Sequence, residues 1–267
     1  MALTQIIVLA VVQGITEFLP ISSSGHLIMV PILADWPDQG LMLDVAVHVG
    51  TMGAVMIYFW QDLLAMVTGV FRLLKGRRDP GARLAGQVVV ATIPVLGAGY
   101  LFDAYVGDGL RSIEVIGWAT LCFGILLYAA DRMSMTVKKL DHSSYLDVLV
   151  IGVAQILALI PGTSRSGITM TAARFLGFER AEAARFSMLL SIPTIAASGL
   201  WLGLNIYEAN DVTLTRGVLA AAGLSFVTAI ISIAALMAWL QRSSFTPFVI
   251  YRVVLGIALL AIAYDWV

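Results

Sequence analysis

Charged side chains are scarce in this sequence. Only 12% of its 267 residues are charged, whereas 60% are hydrophobic, and the mean hydropathy is +0.92. Soluble domains carry about 25% charged residues, so the chain lacks the polar side chains that would cover a water-facing surface. A lipid-facing surface needs no such cover. The composition therefore predicts an all-α integral membrane protein.

Other absences narrow the classes of function. The net charge is −1, so the chain has no excess of basic residues of the kind that binds nucleic acid. The single cysteine, Cys122, has no second cysteine with which to form an internal disulfide. The N-terminus lacks a basic stretch ahead of its apolar run, so we expect it to belong to the mature protein rather than to a signal peptide.

Six uninterrupted apolar stretches approach or reach the roughly 20 residues that a membrane-spanning helix needs. They are 41–60, 84–102, 112–130, 185–205, 216–240 and 247–265. Two further apolar regions, 3–34 and 146–176, are each interrupted by a proline followed by small hydroxyl residues and glycine. Unwound backbone at membrane depth is tolerated only inside protein or beside a watery cavity. The sequence therefore predicts about six spans plus two re-entrant helical hairpins.

The two hairpins align with each other, which indicates an internal repeat. Placing Pro20 on Pro161 aligns Ser22 with Thr163, and a slip of one position then brings the Ser-Gly pair at 24–25 onto that at 166–167. We expect one membrane domain over 1–267, built from repeats at approximately 1–130 and 146–267. Paired interruptions in corresponding segments indicate a site where the two repeats meet.

Loop charges predict the orientation of these repeats. Basic residues concentrate in the loops at 61–83, 131–145, 174–185 and 241–246, whereas the loops at 103–111 and 206–216 carry more acidic residues. By the positive-inside rule the first four loops are cytoplasmic and the last two external. Threading six spans through this pattern gives inverted-topology repeats, with the tips of both hairpins meeting near the middle of the membrane.

The first hairpin carries a polar segment from Gln13 to His26. Gln13 and Glu17 share one helical face, and behind the break come three hydroxyl residues, Ser22, Ser23 and Ser24. Ionisable residues within a membrane are costly and mark candidate sites. A carboxylate can hold a divalent cation, a serine can attack phosphorus, and a histidine can take its proton. The structural alternative for the serines is a helix N-cap.

The second hairpin places a single arginine at its tip. Its polar residues are Gly162, Thr163, Ser164, Arg165, Ser166 and Gly167. A guanidinium binds phosphate oxygens through its rigid fork of donors, and hydroxyl and glycine residues ahead of a helix form a nest for an anion. The structural alternative is an ion pair between Arg165 and Glu17. The two interpretations are compatible, because Arg165 can pair with Glu17 when substrate is absent and bind phosphate when it is present.

The segments 13–26 and 161–167 resemble the two signature motifs of the undecaprenyl pyrophosphate phosphatases, the bacitracin-resistance family of bacterial inner membranes. The resemblance extends over essentially the whole chain, including 244–252 before the last helix. It implies hydrolysis of undecaprenyl pyrophosphate to undecaprenyl phosphate and inorganic phosphate, which recycles the carrier lipid for cell wall synthesis. It also implies a divalent cation, Mg²⁺ or Ca²⁺, and a site open to the periplasm. The expected partners are the lipid substrate and the membrane. Whether the protein forms a homodimer is left open.

Transferred position by position, the resemblance implies a catalytic set of Glu17, Ser23, His26 and Arg165, with Gln13 joining Glu17 at the cation. Many members have glutamate where this chain has Gln13, so Glu17 must supply most of the negative charge to the metal. The residues expected to contact substrate are Ser22, Ser24, Gly162, Thr163, Ser164, Ser166 and Gly167. His48, in the first full span, either packs within the protein or lines this site.

The mechanistic hypothesis is that Ser23 attacks the terminal phosphorus with His26 as base, giving a phosphoserine that water hydrolyses. In a rival mechanism His26 activates water or is itself the nucleophile. The competing class of protein is a polyprenyl-phosphate transporter or flippase, since inverted repeats with broken helices are a transporter layout. The set of Ser, His, Glu and Arg favours the phosphatase because it exceeds what anion binding requires.

Overall fold

The computed structural model describes residues 3–37, 40–105, 107–110, 112–133, 138–208 and 216–265, and within them it is helical. The α-helices are α1 Leu3–Thr16, α2 Ser23–Leu33, α3 Leu41–Tyr58, α4 Trp60–Leu74, α5 Pro80–Tyr105, α6 Ile113–Met133, α7 Tyr145–Gln155, α8 Arg165–Phe175, α9 Arg180–Glu208, α10 Arg216–Leu240 and α11 Thr246–Ala263. Short 3-10 helices lie at Gly107–Leu110, Leu140–His142 and Ile156–Leu159.

Six of these helices are long and apolar enough to cross a bilayer, namely α3, α5, α6, α9, α10 and α11. They coincide with the six predicted spans, so the all-α membrane class is confirmed. Parts of the loops at 103–111, 131–145 and 206–216 lie outside the described residues. The re-entrant path of the two hairpins through the membrane stays a prediction.

The predicted cytoplasmic loop at 61–83 was wrong in one respect, because most of it is the helix α4. Its apolar residues recur every three or four positions, which is a helical period, and the count of basic residues obscured this. The turn into α5 is held by Asp79, whose carboxylate accepts from the Arg72 guanidinium at 2.9 Å and from the backbone N–H of Gly81 at 2.8 Å. The Arg72 hydrogen bond, with that of Gly81, keeps the pKa of Asp79 below its usual range.

The outer surface of the helical assembly carries many exposed apolar side chains. Val89, Ile93, Ile231 and Val254 on three spanning helices are each more than half exposed, at 58%, 61%, 62% and 62%. The core is filled by fully buried aromatic side chains from the breaks and helix ends, namely Phe18, Phe178, Phe186 and Phe245. An exposed apolar surface of this extent suits lipid rather than water.

Helices from the two halves of the chain pack against each other reciprocally. The short helix α1 packs on α10, and its counterpart α7 packs on α5. The long helices α3 and α9 contact each other, as do α6 and α11. This exchange of partners supports the division into two repeats, which stays a prediction. Because the helices pack in this reciprocal way, the break after α1 and the break after α7 lie together in the middle of the assembly.

The spanning helices α3 and α10 approach each other closely at Gly50. A Cβ atom added there would lie 2.2 Å from both the carbonyl oxygen of Ala222 and the hydroxyl of Ser225. The Ser225 hydroxyl also donates to the Val47 carbonyl oxygen at 3.0 Å. Small residues and hydroxyl groups at such contacts are typical of helix packing in membranes, where close backbone approach replaces the hydrophobic effect.

Gly50→Ala is therefore expected to destabilise the protein by about 1–3 kcal/mol, the range for forcing an extra methyl group into a packed interface. Gly53→Ala, one turn along the same helix, is the matched control because its added Cβ would be 3.4 Å from the Phe226 ring. We expect this control to be neutral or slightly stabilising, since alanine favours helix over glycine. Thermal unfolding in detergent compares the two variants, and equal midpoints would contradict the role of Gly50.

Candidate active site

Both helix breaks end in the same local structure. Ser22 and Ser164 are the N-caps of α2 and α8, and their hydroxyls accept from the backbone N–H groups of Gly25 and Gly167 at 3.3 and 3.1 Å. Both serines have positive φ, 73° and 71°, a region that non-glycine residues rarely adopt. In the structure Ser22 therefore corresponds to Ser164 rather than to Thr163. Ser23 and Arg165, the next residues along, then occupy equivalent positions.

The structure brings Glu17, Ser23 and Arg165 into direct contact. Arg165 donates from Nη2 to Glu17 Oε1 at 2.8 Å, which confirms the ion pair predicted for the free site. The Ser23 hydroxyl donates to Glu17 Oε2 at 2.7 Å, and Gln13 donates from Nε2 to the same oxygen at 2.8 Å. A buried carboxylate is tolerated only when paired and hydrogen-bonded, and these three donors meet that need.

His48 lies on the rim of this cluster. Its Nδ1 donates to the Asp44 carbonyl oxygen at 2.7 Å, and its Nε2 lies 3.8 Å from Glu17 Oε2. The side chain is 35% exposed and lines the same cavity as Glu17. Of the two interpretations of His48, the structure therefore supports the one in which it lines the site.

His26 is turned away from Ser23. Its Nδ1 donates to the Ser22 carbonyl oxygen at 2.6 Å, and its Nε2 lies 2.5 Å from the Tyr251 hydroxyl. The two rings are stacked, with their centroids 5.7 Å apart. Because both ring nitrogens have partners, and neither partner is Ser23, the structure does not bring together the predicted nucleophile and its predicted base. His26 instead holds the backbone of the residue that precedes Ser23.

The cluster opens into a cavity of about 330 Å³ between the two breaks and the helices α3, α5 and α9. Its polar floor contains Glu17, Ser23, Ser24, Ser164 and Arg165. The rest of its lining is mostly apolar and includes Leu41, Val45, Val95, Leu159, Ile195 and Leu202. A charged floor beneath apolar walls can accommodate an amphiphile with an anionic head.

The other predicted contact residues lie behind this floor and hold the two breaks together. The Ser166 hydroxyl donates to the Leu19 carbonyl oxygen of the opposite break at 2.9 Å. Gly162 has φ of +93°, and a Cβ there would be 2.5 Å from the Ile116 carbonyl oxygen, so the turn requires glycine. Thr163 is fully buried. These residues shape the site rather than line it.

Sequence reasoning missed Arg252, a fully buried residue of α11. Its guanidinium donates to five backbone carbonyl oxygens, those of Pro20, Ala119, Thr120, Gly162 and Thr163, at 2.9–3.4 Å. Arg252 therefore ties both breaks to α6. The available signal was its position, since it is the only charged residue in the apolar stretch 247–264, and such residues mark functional positions.

Sequence reasoning also missed Gln155, the last residue of α7, which is fully buried and lines the cavity. Gln155 precedes Ser164 by as many positions as Gln13 precedes Ser22, so the register that relates the two N-cap serines also relates the two glutamines. An alignment anchored on those serines would have found it. Anchoring on the prolines instead shifted the register by one position.

Six apolar helices around a buried carboxylate, guanidinium and hydroxyl cluster define a polytopic membrane protein with a site for a phosphate-bearing amphiphile. The family model of bacitracin resistance protein BacA matches residues 6–258. The chain belongs to this family.

Similar proteins extend over nearly the full length of the chain. It is 53% identical to undecaprenyl-diphosphatase 1 of Rhodospirillum rubrum, over 99% of this chain and 96% of that protein. It is likewise 53% identical to the undecaprenyl-diphosphatase of Jannaschia sp., over 99% and 100% of the two chains. The undecaprenyl-diphosphatase of Hahella chejuensis is 49% identical over 97% and 98%.

Proposed function

We propose that this protein hydrolyses undecaprenyl diphosphate to undecaprenyl phosphate and inorganic phosphate. The observation that carries the proposal is the contact of Ser23, Glu17 and Arg165 at the floor of a cavity with apolar walls. A hydroxyl, a base within hydrogen-bond reach and a guanidinium are the parts that phosphoryl transfer to an enzyme nucleophile requires. The curated relatives named above support the choice of substrate.

In the proposed reaction the Ser23 oxygen attacks the terminal phosphorus while its proton passes to Glu17 Oε2. The bond from that phosphorus to the bridging oxygen breaks, and undecaprenyl phosphate leaves. Water then attacks the phosphoserine and the bond from phosphorus to the Ser23 oxygen breaks. That oxygen takes its proton back from Glu17, and inorganic phosphate leaves with the oxygen and both protons of the water. Arg165 supports both steps because its Nη1 is buried without a partner among the described residues and can donate to phosphoryl oxygens. Glu17 replaces His26 as the base because, of these two side chains, Glu17 accepts from the Ser23 hydroxyl, whereas both ring nitrogens of His26 have other partners.

The floor of the cavity offers a divalent cation few protein ligands. Within the described residues no group of three or more His, Cys, Asp and Glu side chains could hold a metal. Mg²⁺ is however commonly bound by one or two carboxylates, with substrate phosphates and water completing its shell. Glu17 would hold it together with the amide oxygen of Gln13, which is buried and finds no partner in the described part of the chain. The ion would offset the negative charge of the diphosphate.

The location also belongs to the proposal. Six apolar helices make the chain a multi-pass membrane protein, and we propose the bacterial inner membrane with the cavity facing the periplasm. The distribution of basic loops supports this orientation. Labelling of cysteines introduced at the two ends of α9 tests it. The homodimer that the sequence leaves open stays a prediction, and the mass of the detergent-solubilised protein tests it.

His26→Asn is the sharpest test of the proposed base. Asparagine keeps a donor for the Ser22 carbonyl oxygen, so we expect phosphate release to fall by no more than about tenfold, the effect of weakening one hydrogen bond. Loss of a true general base reduces the rate by about 10²–10⁴-fold. Phosphate release from purified protein, with and without chelator, measures the effect, and a loss in the larger range would restore His26 as the base.

The same preparation tests the covalent intermediate and the competing class. Rapid quenching with substrate labelled in its terminal phosphate is expected to leave label on Ser23. Absence of label in wild type and in slow variants would contradict the covalent step. A transporter that only binds the lipid would release no phosphate at all, and Ser23→Ala would leave its lipid translocation intact.

A further inference from the structure

The carboxamide of Gln155 is buried and unsatisfied. Both of its polar atoms, Nε2 and Oε1, are shielded from solvent and have no hydrogen-bond partner among the described residues. Most buried polar atoms in folded proteins have a partner, so an exception needs an explanation. In a residue that lines a cavity, the simplest explanation is a partner that arrives with the ligand.

Comparison with Gln13 explains why Gln155 is unsatisfied. Gln13 donates to Glu17, which is four residues further on and on the same side of the break. The corresponding position after Gln155 is Leu159, whose side chain offers no acceptor. The same carboxamide at equivalent positions therefore serves a carboxylate in the first half and has no acceptor among the described residues in the second.

A second unsatisfied donor lies in the same cavity. Arg165 uses Nη2 for Glu17, whereas its Nη1 is buried without a partner in the described part of the chain. Two N–H donors without acceptors among the described residues, one charged and one neutral, thus belong to residues that line one cavity with largely apolar walls. Such a pair suits an anion rich in oxygen acceptors, and a diphosphate has acceptors on both phosphorus atoms.

We propose that Gln155 is a substrate-binding residue, whose Nε2 donates to a phosphoryl oxygen of the lipid diphosphate beside Arg165. The Oε1 atom accepts from water or from a protonated phosphoryl oxygen that enters with the substrate. This inference rests on the proposed function, because it takes the diphosphate as the ligand. It assigns Gln155 to binding and leaves nucleophilic attack and proton transfer to Ser23 and Glu17.

The test uses Gln155→Leu, which keeps approximate size and removes both unsatisfied atoms. A binding role predicts that KM for a polyprenyl diphosphate rises by about 10- to 100-fold, the effect of losing a hydrogen bond to a charged group. It also predicts that the thermal unfolding midpoint of the substrate-free protein is unchanged or higher. Gln155→Glu is expected to bind more weakly still, since its carboxylate repels the diphosphate.

Gln87→Leu is the matched control. Gln87 is also a buried glutamine, but it donates to the Ser143 carbonyl oxygen at 3.0 Å and lies outside the cavity. Its replacement is expected to lower the unfolding midpoint and leave KM unchanged. We thus expect opposite results for the two variants: Gln155→Leu raises KM and keeps stability, whereas Gln87→Leu lowers stability and keeps KM.

A non-hydrolysable probe separates this inference from the proposed function. Binding of farnesyl methylenediphosphonate, measured by calorimetry, is expected to weaken in Gln155→Leu to the same extent as KM rises. If wild type releases phosphate and Gln155→Leu keeps both its KM and its affinity for the probe, the role of Gln155 is wrong while the proposed function stands. If wild type releases no phosphate from any polyprenyl diphosphate, the proposed function itself fails.

Discussion

Arg165→Ala is expected to reduce the rate of phosphate release by about 10³-fold or more, the range measured for arginines that stabilise a transferring phosphoryl group. The guanidinium is the only cationic side chain that contacts Glu17 within hydrogen-bond distance among the described residues. Its second terminal nitrogen is available to bind the phosphoryl oxygens as charge develops. Within the described cavity floor, no other side chain offers a charged fork of donors.

Arg165→Lys distinguishes charge from geometry. Lysine keeps the positive charge but cannot bridge Glu17 and a phosphoryl oxygen with two parallel donors, so we expect it to recover only a small part of the activity. Arg72→Ala is the control, because Arg72 forms an exposed ion pair with Asp79 far from the cavity. Phosphate release and the unfolding midpoint are measured together for all three variants. Wild-type activity in folded Arg165→Ala protein would overturn the assignment of the site.

Arg252→Met is expected to destabilise the protein by about 3 kcal/mol or more. The substitution removes a donor from five carbonyl oxygens, but those of Ala119 and Thr120 lie within α6 and that of Gly162 also accepts from the Thr120 hydroxyl. The carbonyl oxygens of Pro20 and Thr163 are therefore the ones left unsatisfied, and each such buried group costs about 1–3 kcal/mol before relaxation. Three of the five oxygens belong to Pro20, Gly162 and Thr163 in the two breaks. We therefore also expect the remaining folded protein to lose activity, since the loops that carry Ser23 and Arg165 would separate.

Thermal unfolding in detergent and activity per folded molecule measure these two effects separately. Arg252→Lys is expected to be intermediate, because an ammonium group has three donors and cannot reach all five oxygens. Arg132→Ala is the control at the C-terminal end of α6, where Arg132 lies over the Tyr128 ring. Unchanged stability of Arg252→Met would show that water replaces the guanidinium, and that the breaks are held by other contacts.

The sequence predicted the residues of the site better than their contacts. Glu17 and Arg165 could be paired from their positions at two helix breaks, because an isolated charge in an apolar interior must find a partner. The direction of the His26 ring could not be predicted, since it depends on the positive φ of Ser22 and on Tyr251 in the last helix, far along the chain. Spacing in sequence carries no information on such long-range contacts.

Similar reasons explain the other differences. The six spans follow from length and hydropathy alone, which are local properties. Helix α4 was missed because its apolar residues are interleaved with polar ones and it is too short to span. The register between the repeats was misjudged at the prolines, whereas the hydrogen bonds of the N-cap serines define it. The shared N-cap conformation of these two serines, rather than the positions of the prolines, aligns the two halves of the chain.

The burial of Arg252 has a consequence for the barrier function of the membrane. A polar cavity within a bilayer offers protons a route across, and any leak would dissipate the ion gradient that the membrane maintains. Arg252 places a permanent positive charge between the two breaks, surrounded by carbonyl oxygens and without a carboxylate partner among the described residues. Fixed positive charge in a narrow, weakly polarisable region repels hydrated protons and other cations. We therefore expect the residue that joins the two loops to oppose the passage of cations between the two breaks.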